Sequence, residues 1–314
     1  MRLGISIVAA LLLSTGGWWL VGASAETDPV IMAAGDIACG AESMGGACKQ
    51  LQTSDLLVGV NPDAVLALGD IQYEQGQLEN FQAYYGPTWG RVKDRTRPAV
   101  GNHEYITANA QGYRDYYGGP DVAGDLYYAY SLGEWRIYSL NSNCSKVDCL
   151  AQALWLRQDA VANPARCQLA YMHHPFVSSD TRAFDATPPL AAVYQAFYDI
   201  SGDLALVGHS HFYERFALQN PQRQPDPQGF RQIVVGTGGR NVYGFGEIKS
   251  LSEVRNGTTF GVLKVVLHPT SYDWDFVPIA GQTFDDTGST ACHAIPTMVK
   301  RLDRRPRGRI DPRV

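Results

Sequence analysis

An α/β fold is what this sequence predicts, and three observations carry the prediction. Between residues 30 and 290, short apolar runs alternate with stretches of helical period. Glycine (32) and proline (17) are frequent enough to supply turns between those runs. Groups of Asp, Asn and His follow directly after the apolar runs, and in α/β sheets ligand sites gather at the carboxyl ends of strands.

The elements follow in order. Val30–Ala34 reads as a buried strand ending in Gly35-Asp36. Leu51–Val60 has a helical pattern and stops at Asn61-Pro62, because the residue before a proline is pushed out of the helical region. Ala64–Leu68 is a second buried strand, followed by Gly69-Asp70, and Gln77–Tyr85 reads as a helix. Arg97–Val100 is a short strand before Gly101-Asn102-His103-Glu104. Tyr127–Ser131 and Trp135–Leu140 form a hairpin around Leu132-Gly133-Glu134. Leu150–Ala162 is a helix, Gln168–Met172 a strand, Pro189–Ile200 a helix and Leu204–Val207 a strand. Strands then dominate: Phe212–Ala217, Ile233–Val235, Phe260–His268 and Tyr272–Pro278, with a Pro- and Gln-rich surface loop around Asn220–Gly229.

Composition bounds the rest. A chain of 314 residues with 45% hydrophobic and 18% charged residues builds a sizeable core in one large domain or two ordinary ones. Arg2, an apolar run from Ile5 to Leu13 and the small-residue site Ala23-Ser24-Ala25 read as a signal peptide over residues 1–25; the alternative is a membrane anchor. Cleavage would leave a catalytic domain over 28–296 with no stable membrane span, and export makes the protein secreted or periplasmic. All six cysteines lie in the mature chain, which favours disulfides. Sequence proximity suggests Cys39–Cys48 and Cys144–Cys149, leaving Cys167 for Cys292. A cysteine zinc site would need closely spaced pairs, and no CxxC occurs. Residues 299–314 carry seven Lys/Arg against two Asp and read as a basic, disordered tail. With Arg2 removed, the net charge of −5 becomes −6, so the body without its tail is near −11. A body this acidic argues against a nucleic-acid-binding surface, so no nucleic-acid partner is expected; protein partners are not readable.

The chemistry sits in five groups: Gly35-Asp36; Gly69-Asp70-Ile71-Gln72-Tyr73; Gly101-Asn102-His103-Glu104; His173-His174-Pro175; and Gly208-His209-Ser210-His211. Carboxylate, phenol, amide oxygen and imidazole are hard or borderline ligands that suit Zn, Fe or Mn better than an all-oxygen calcium site. The spacing of His209 and His211 puts both rings on one side of an extended segment. Any one group alone is an ordinary turn; five of them, each after a strand, point to one shared site.

Here the chain resembles the calcineurin-like metallophosphoesterase superfamily, in particular its purple acid phosphatase branch and exported bacterial relatives. The resemblance covers nearly the whole mature chain and rests on Gly35-Asp36, Gly69-Asp70-Ile71-Gln72-Tyr73, Gly101-Asn102-His103-Glu104, Ala170-Tyr171-Met172-His173 and Gly208-His209-Ser210-His211. It implies a four-layer αββα sandwich of two mixed sheets flanked by helices. It also implies two metal ions, Fe(III) with Fe(II), Zn(II) or Mn(II). Asp36, Tyr73 and His211 would hold the first, Asn102, His173 and His209 the second, and Asp70 would bridge them. The implied activity is hydrolysis of a small phosphate ester, favouring monoesters, by in-line attack of a metal-held hydroxide. A phosphodiesterase or nucleotidase on the same site, or a non-catalytic metal- or anion-binding protein, is the alternative. His103 would face the substrate as acid or anion holder. Glu104 either orients His103 or is a solvated loop carboxylate. His174 is either a second substrate contact or a structural residue before Pro175. Asn141 and Asn143 line the cleft or make a turn.

The chain departs from the pattern in places. Ala38 stands where many superfamily members have a ligand His and the purple branch usually has Gly. The first strand starts close to the expected cleavage site, which leaves no room for the N-terminal β-domain of plant members. No second His pair of the kind plant members use on substrate follows His173, so substrate preference does not carry over.

Overall fold

The computed structural model describes residues 27–41, 48–182 and 186–293. The expected signal peptide and basic tail lie outside the described residues. Two mixed sheets form the frame. One contains β1 (Val30–Ala34), β2 (Ala64–Leu68), β3 (Thr96–Ala99), β11 (Gly261–Leu267), β12 (Ser271–Pro278) and β13 (Thr287–Ala291), in the order β13-β12-β11-β1-β2-β3. The other contains β4 (Tyr128–Leu132), β5 (Trp135–Ser139), β6 (Cys167–Met172), β7 (Leu204–Val207), β8 (Tyr213–Phe216), β9 (Arg231–Val235) and β10 (Ser252–Asn256), in the order β10-β8-β9-β7-β6-β5-β4. Strands β1, β2 and β3 run parallel, as do β5, β6, β7 and β9. The remaining pairs are antiparallel.

The period-two alternation of a strand divides the core in two. On β6, Cys167, Leu169 and Tyr171 face the first sheet, in one buried cluster with Ile31, Ala33, Leu66, Val262 and Val265. Their neighbours Ala170 and Met172 face the other way, against helices. Strands β7 and β9 repeat the pattern, with Leu204, Leu206, Ile233 and Val235 inside and Ala205, Val207 and Val234 outside. Strands buried on both faces read as continuous apolar runs, which is why these were legible in the sequence.

Five helices are labelled in chain order: α1 (Gln50–Val60), α2 (Leu78–Asn80), α3 (Gln111–Tyr117), α4 (Cys149–Ala162) and α5 (Pro188–Asp199). Helix α1 buries Leu57 in the inter-sheet cluster's outer flank. Helices α4 and α5 cover the outer face of the second sheet through Ala153, Leu156, Leu190, Val193 and Phe197. The stacking is therefore helix, sheet, sheet, helix, as the resemblance implied. No helix among the described residues is long and apolar enough to cross a membrane.

Four elements differ from the sequence expectation. The helix expected over Gln77–Tyr85 is a short α2 that widens into a π-turn over Phe81–Tyr85, where Gly86 N donates to Phe81 O at 2.7 Å. The wider turn lets Phe81 and Tyr85 both bury. Helix α3 and the edge strands β10 and β13 were not expected. The sequence Thr287-Gly-Ser-Thr-Ala291 of β13 buries no continuous apolar face, so its pairing with β12 decides its conformation. All three suggested disulfides are present: Cys39–Cys48, Cys144–Cys149 and Cys167–Cys292.

Candidate metal centre

The carboxyl ends of β1, β2, β3, β6 and β7 meet at one edge of the two sheets, and each delivers one of the five predicted groups. The turns that follow are tight. Asp36, Asp70 and His209 have left-handed backbones at φ 59°, 46° and 70°, a conformation that non-glycine residues adopt chiefly where function or surroundings demand it. Gly101 is required by its neighbours: a Cβ there would stand 2.1 Å from the Asp70 amide nitrogen. Backbone amides aim the two aspartates. Asp36 accepts from His209 N through Oδ2 (2.8 Å), and Asp70 accepts from His103 N through Oδ1 (2.9 Å). One oxygen of each is left for the centre.

Those oxygens join two sets of donors. In the first, Tyr73 Oη lies 2.7 Å from Asp36 Oδ1, 3.1 Å from Asp70 Oδ2 and 3.1 Å from His211 Nε2. His211 Nε2 is also 3.2 Å from Asp36 Oδ1. In the second, His173 Nε2 lies 3.1 Å from Asp70 Oδ2, 3.1 Å from Asn102 Oδ1 and 3.2 Å from His209 Nδ1. Asp70 Oδ2 belongs to both. All seven residues expected as ligands thus converge.

The donor chemistry fits cations. His173 Nδ1 is 3.0 Å from Leu68 O and His211 Nδ1 is 2.8 Å from Asn241 Oδ1. Each Nδ1 therefore carries the hydrogen in the neutral ring, and each Nε2 turns a lone pair inward. In the first set one phenolic hydrogen faces two carboxylate oxygens and that lone pair. In the second, a lone pair faces two oxygens. Acceptors converging on acceptors need positive charge between them. Ligands roughly 2.0–2.2 Å from one ion stand about 2.8–3.6 Å apart at octahedral or tetrahedral angles, close to the separations here. Donor atoms of Asp36, Asp70 and His173 lie within 4.8 Å of one another, as do those of His173, His174 and His209.

The electrostatics agree. Burial lowers the His209 imidazole to about 2, with His173 adding to the effect, so it is a neutral donor. Burial opposes protonation of His173 too, yet the Asp70 carboxylate outweighs it and raises the imidazole to about 9. Burial and the charges of Asp36 and Asp70 push the Tyr73 phenol well up. Without a cation the site therefore keeps protons on His173 and Tyr73 to offset its carboxylates.

Residues 29–213 match the family model described as calcineurin-like phosphoesterase. The chain belongs to the calcineurin-like phosphoesterase family. Purple acid phosphatase 15 of Arabidopsis thaliana is 25% identical over 219 residues, covering 58% of this chain and 41% of that protein. Among solved structures, purple acid phosphatase PPD1 from yellow lupin (Lupinus luteus) seeds has a TM-score of 0.71 at 16% identity, covering 84% of this chain and 54% of the lupin chain. GAP50, the anchor in the inner membrane complex of Plasmodium, has a TM-score of 0.66 at 15% identity, covering 87% and 91%. This chain spans about two fifths of the Arabidopsis relative and about half of the lupin chain. The structural likenesses show the fold.

The remaining candidates within this phosphoesterase fold separate cleanly. His103 stands at the cleft with its ring over Tyr73 at 4.4 Å. Its Nδ1 donates to Glu74 O (2.6 Å), and its Nε2 is 3.8 Å from Asp70 Oδ2. Glu104 requires a correction. Its carboxylate is fully buried and accepts from the amides of Asp70, Ile71, Gln72 and Gly101 at 2.8–3.2 Å. It is neither solvated nor placed on His103; it holds the turn that presents Asp70. Burial and the Asp70 charge push its carboxyl up to about 7 against those four donors. His174 bonds Ser142 Oγ through Nδ1 (2.8 Å), and its ring lies 4.6 Å from that of His209. Asn141 is a turn residue: its amide group bonds Tyr105 Oη, Asp125 O and the Asn143 backbone. Asn143 lines a cleft beside Asn102 and His174.

The cleft over the donors, about 160 Å³, also includes Arg182, Arg240, Asn241 and Glu74, which the sequence reading missed. A signal existed for two of them. Gly236-Thr-Gly-Gly-Arg240-Asn241 follows strand β9 as the other five groups follow theirs. Arg182 had none, because a lone arginine in a loop has no pattern.

Proposed function

We propose that this chain is an exported dinuclear-metal phosphatase, with residues 28–296 as its catalytic domain, that hydrolyses phosphate monoesters. The observation that carries the reading is the convergence of Asp36, Asp70, Tyr73, Asn102, His173, His209 and His211 into two donor sets sharing Asp70 Oδ2. Asp36, Tyr73 and His211 would hold one ion and Asn102, His173 and His209 the other, with Asp70 between them. A phenolate ligand favours a trivalent partner, so Fe(III) with Fe(II), Zn(II) or Mn(II) is the pairing proposed. Bound there, the ions supply Lewis-acid stabilisation of the phosphoryl group and a nucleophile at neutral pH.

The chain's own residues do the rest. His103, anchored through Nδ1–H on the Glu74 carbonyl, turns Nε2 to the cleft, where a proton on it serves the departing oxygen of the ester. Glu104 fixes the Asp70 turn through four amide bonds and keeps its oxygen in register. The disulfides support an oxidising compartment and thereby export.

The test compares hydrolysis of p-nitrophenyl phosphate with that of its bis-ester, for wild type and His103→Ala. A monoester preference and a large rate loss at unchanged metal content support the reading. A bis-ester preference would make the chain a diesterase. A metal-loaded wild type inactive on both would make it a binding protein.

A further inference from the structure

One turn braces each of the three residues of the first donor set, Asp36, Tyr73 and His211. Gly236-Thr237-Gly238-Gly239-Arg240-Asn241 leaves the carboxyl end of β9 and is pinned near its start, where the fully buried Thr237 donates through Oγ1 to Gly261 O of β11 at 2.9 Å. Asp36 is held through its backbone: Gly238 N donates to Gly35 O and Arg240 N to Asp36 O, both at 2.9 Å. The approach is close enough to require glycine, because a Cβ on Gly236 would stand 2.1 Å from Ser210 O and 2.9 Å from Asp36 Oδ2. His211 donates through Nδ1 to Asn241 Oδ1 at 2.8 Å. The Arg240 guanidinium lies over the Tyr73 ring at 5.3 Å, and Glu74 fixes it there by accepting from Nη2 at 2.6 Å.

The second set is braced from elsewhere. His173 is aimed by the Leu68 carbonyl of β2 at 3.0 Å, and Asp70, which serves both sets, by the His103 amide at 2.9 Å. What the turn after β9 does for the first set follows from the chemistry of two side chains. The hydrogen bond made by one ring nitrogen of a histidine decides which nitrogen offers its lone pair to a metal. Asn241 Oδ1 keeps the hydrogen on Nδ1 of His211, and so keeps Nε2 aimed at Asp36 Oδ1 and Tyr73 Oη, 3.2 and 3.1 Å away. A guanidinium on the face of Tyr73 stabilises negative charge on that ring.

Resting on the dinuclear-metal reading above, we propose that the turn over residues 236–241 is an outer shell for the first ion alone, in which Asn241 positions His211 and Arg240 stabilises the Tyr73 phenolate. Both are positioning residues, since each acts through a ligand. Losing Asn241 loosens the ion held by Asp36, Tyr73 and His211 and leaves in place the ion held by Asn102, His173 and His209. Losing Arg240 changes the electronic character of the first ion's phenolate and leaves its donors where they are.

The experiment loads the full chain with Fe(III) and Zn(II). It then follows both metals by elemental analysis, beside the visible charge-transfer band, during dialysis against EDTA. Asn241→Leu should lose iron about tenfold faster than wild type, or more, while zinc leaves close to the wild-type rate. Asn241→Asp, which keeps an acceptor for Nδ1–H, should retain iron as wild type does. Arg240→Gln should move the band to longer wavelength at unchanged iron content, because a less stabilised phenolate gives up its electrons more easily. Both positions are half-buried at the cleft wall, so a folded variant is expected from each. The proposal is overturned if Asn241→Leu releases iron no faster than wild type or releases both metals in parallel. It is overturned too if Asn241→Asp loses iron as fast as Asn241→Leu, or if the band of Arg240→Gln stays where it was. A wild type that takes up neither ion sinks the dinuclear reading itself, and this inference with it.

Discussion

Asp70 is the residue on which the donor arrangement turns. Its Oδ2 touches both sets, so removing its charge should undo both. Asp70→Asn is expected to lose most of its bound metal and to lower kcat by about 10³-fold or more, read from elemental analysis beside the rate. His103→Ala should separate chemistry from binding, with kcat falling about 10²–10⁴-fold while metal content holds. Glu104→Gln places an amide NH2 among four N–H donors and leaves part of that group unpaired. A cost of about 1–3 kcal/mol in urea unfolding of the metal-free protein is expected, with weakened metal retention. At this scale the seven converging donors were legible because each of their groups follows an apolar strand. The role of Glu104 was not, since its neighbours in sequence are not the amides it serves. Arg182 gave no signal because an isolated loop arginine acquires meaning only from what it faces.

Two ties between elements allow separate tests. The Cys167–Cys292 bridge joins β6 to the segment after β13 and spans 125 residues. Loop-closure entropy puts its contribution at about 5 kcal/mol, so Cys167→Ala with Cys292→Ala should lower the urea midpoint strongly. The second tie is His268, whose ring bonds Asp273 at 3.0 Å and Asp28 at 2.5 Å, linking the β11–β12 turn to the start of β1. Hydrogen bonds to Asp273 and Asp28 raise its pKa above the ordinary value. A raised folded pKa gives stability that is full below the unfolded value, about 6.5, and lost as pH climbs through the folded one. The site is open to solvent, so the amount is below about 1 kcal/mol. Melting of His268→Asn against wild type should show a small deficit at pH 5.5 that closes by pH 8.5. Strands buried on both faces were readable as apolar runs, whereas β13 and β10 were not. Edge strands take their shape from a partner rather than from their own period. The π-turn at Phe81–Tyr85 was hidden for a related reason: only packing shows that two aromatics must point inward together.

The whole molecule is a device for bringing five strand ends to one edge. Parallel β1-β2-β3 and parallel β5-β6-β7-β9 each carry their carboxyl ends to that edge, and neither sheet alone supplies either donor set. The four-layer arrangement came from the family resemblance; the residue pattern by itself reached only an α/β chain. Fold likeness also leaves activity open, because the same frame underlies purple acid phosphatases and a protein described as an anchor. What distinguishes a phosphatase is the loaded centre. The most direct measurement is therefore metal content per chain, by elemental analysis of the purified full-length protein, alongside its visible spectrum. The account predicts two ions per chain and a phenolate-to-iron charge-transfer band that disappears in Tyr73→Phe. A chain that binds no ion, or a single ion retained after Asp70→Asn, would contradict it.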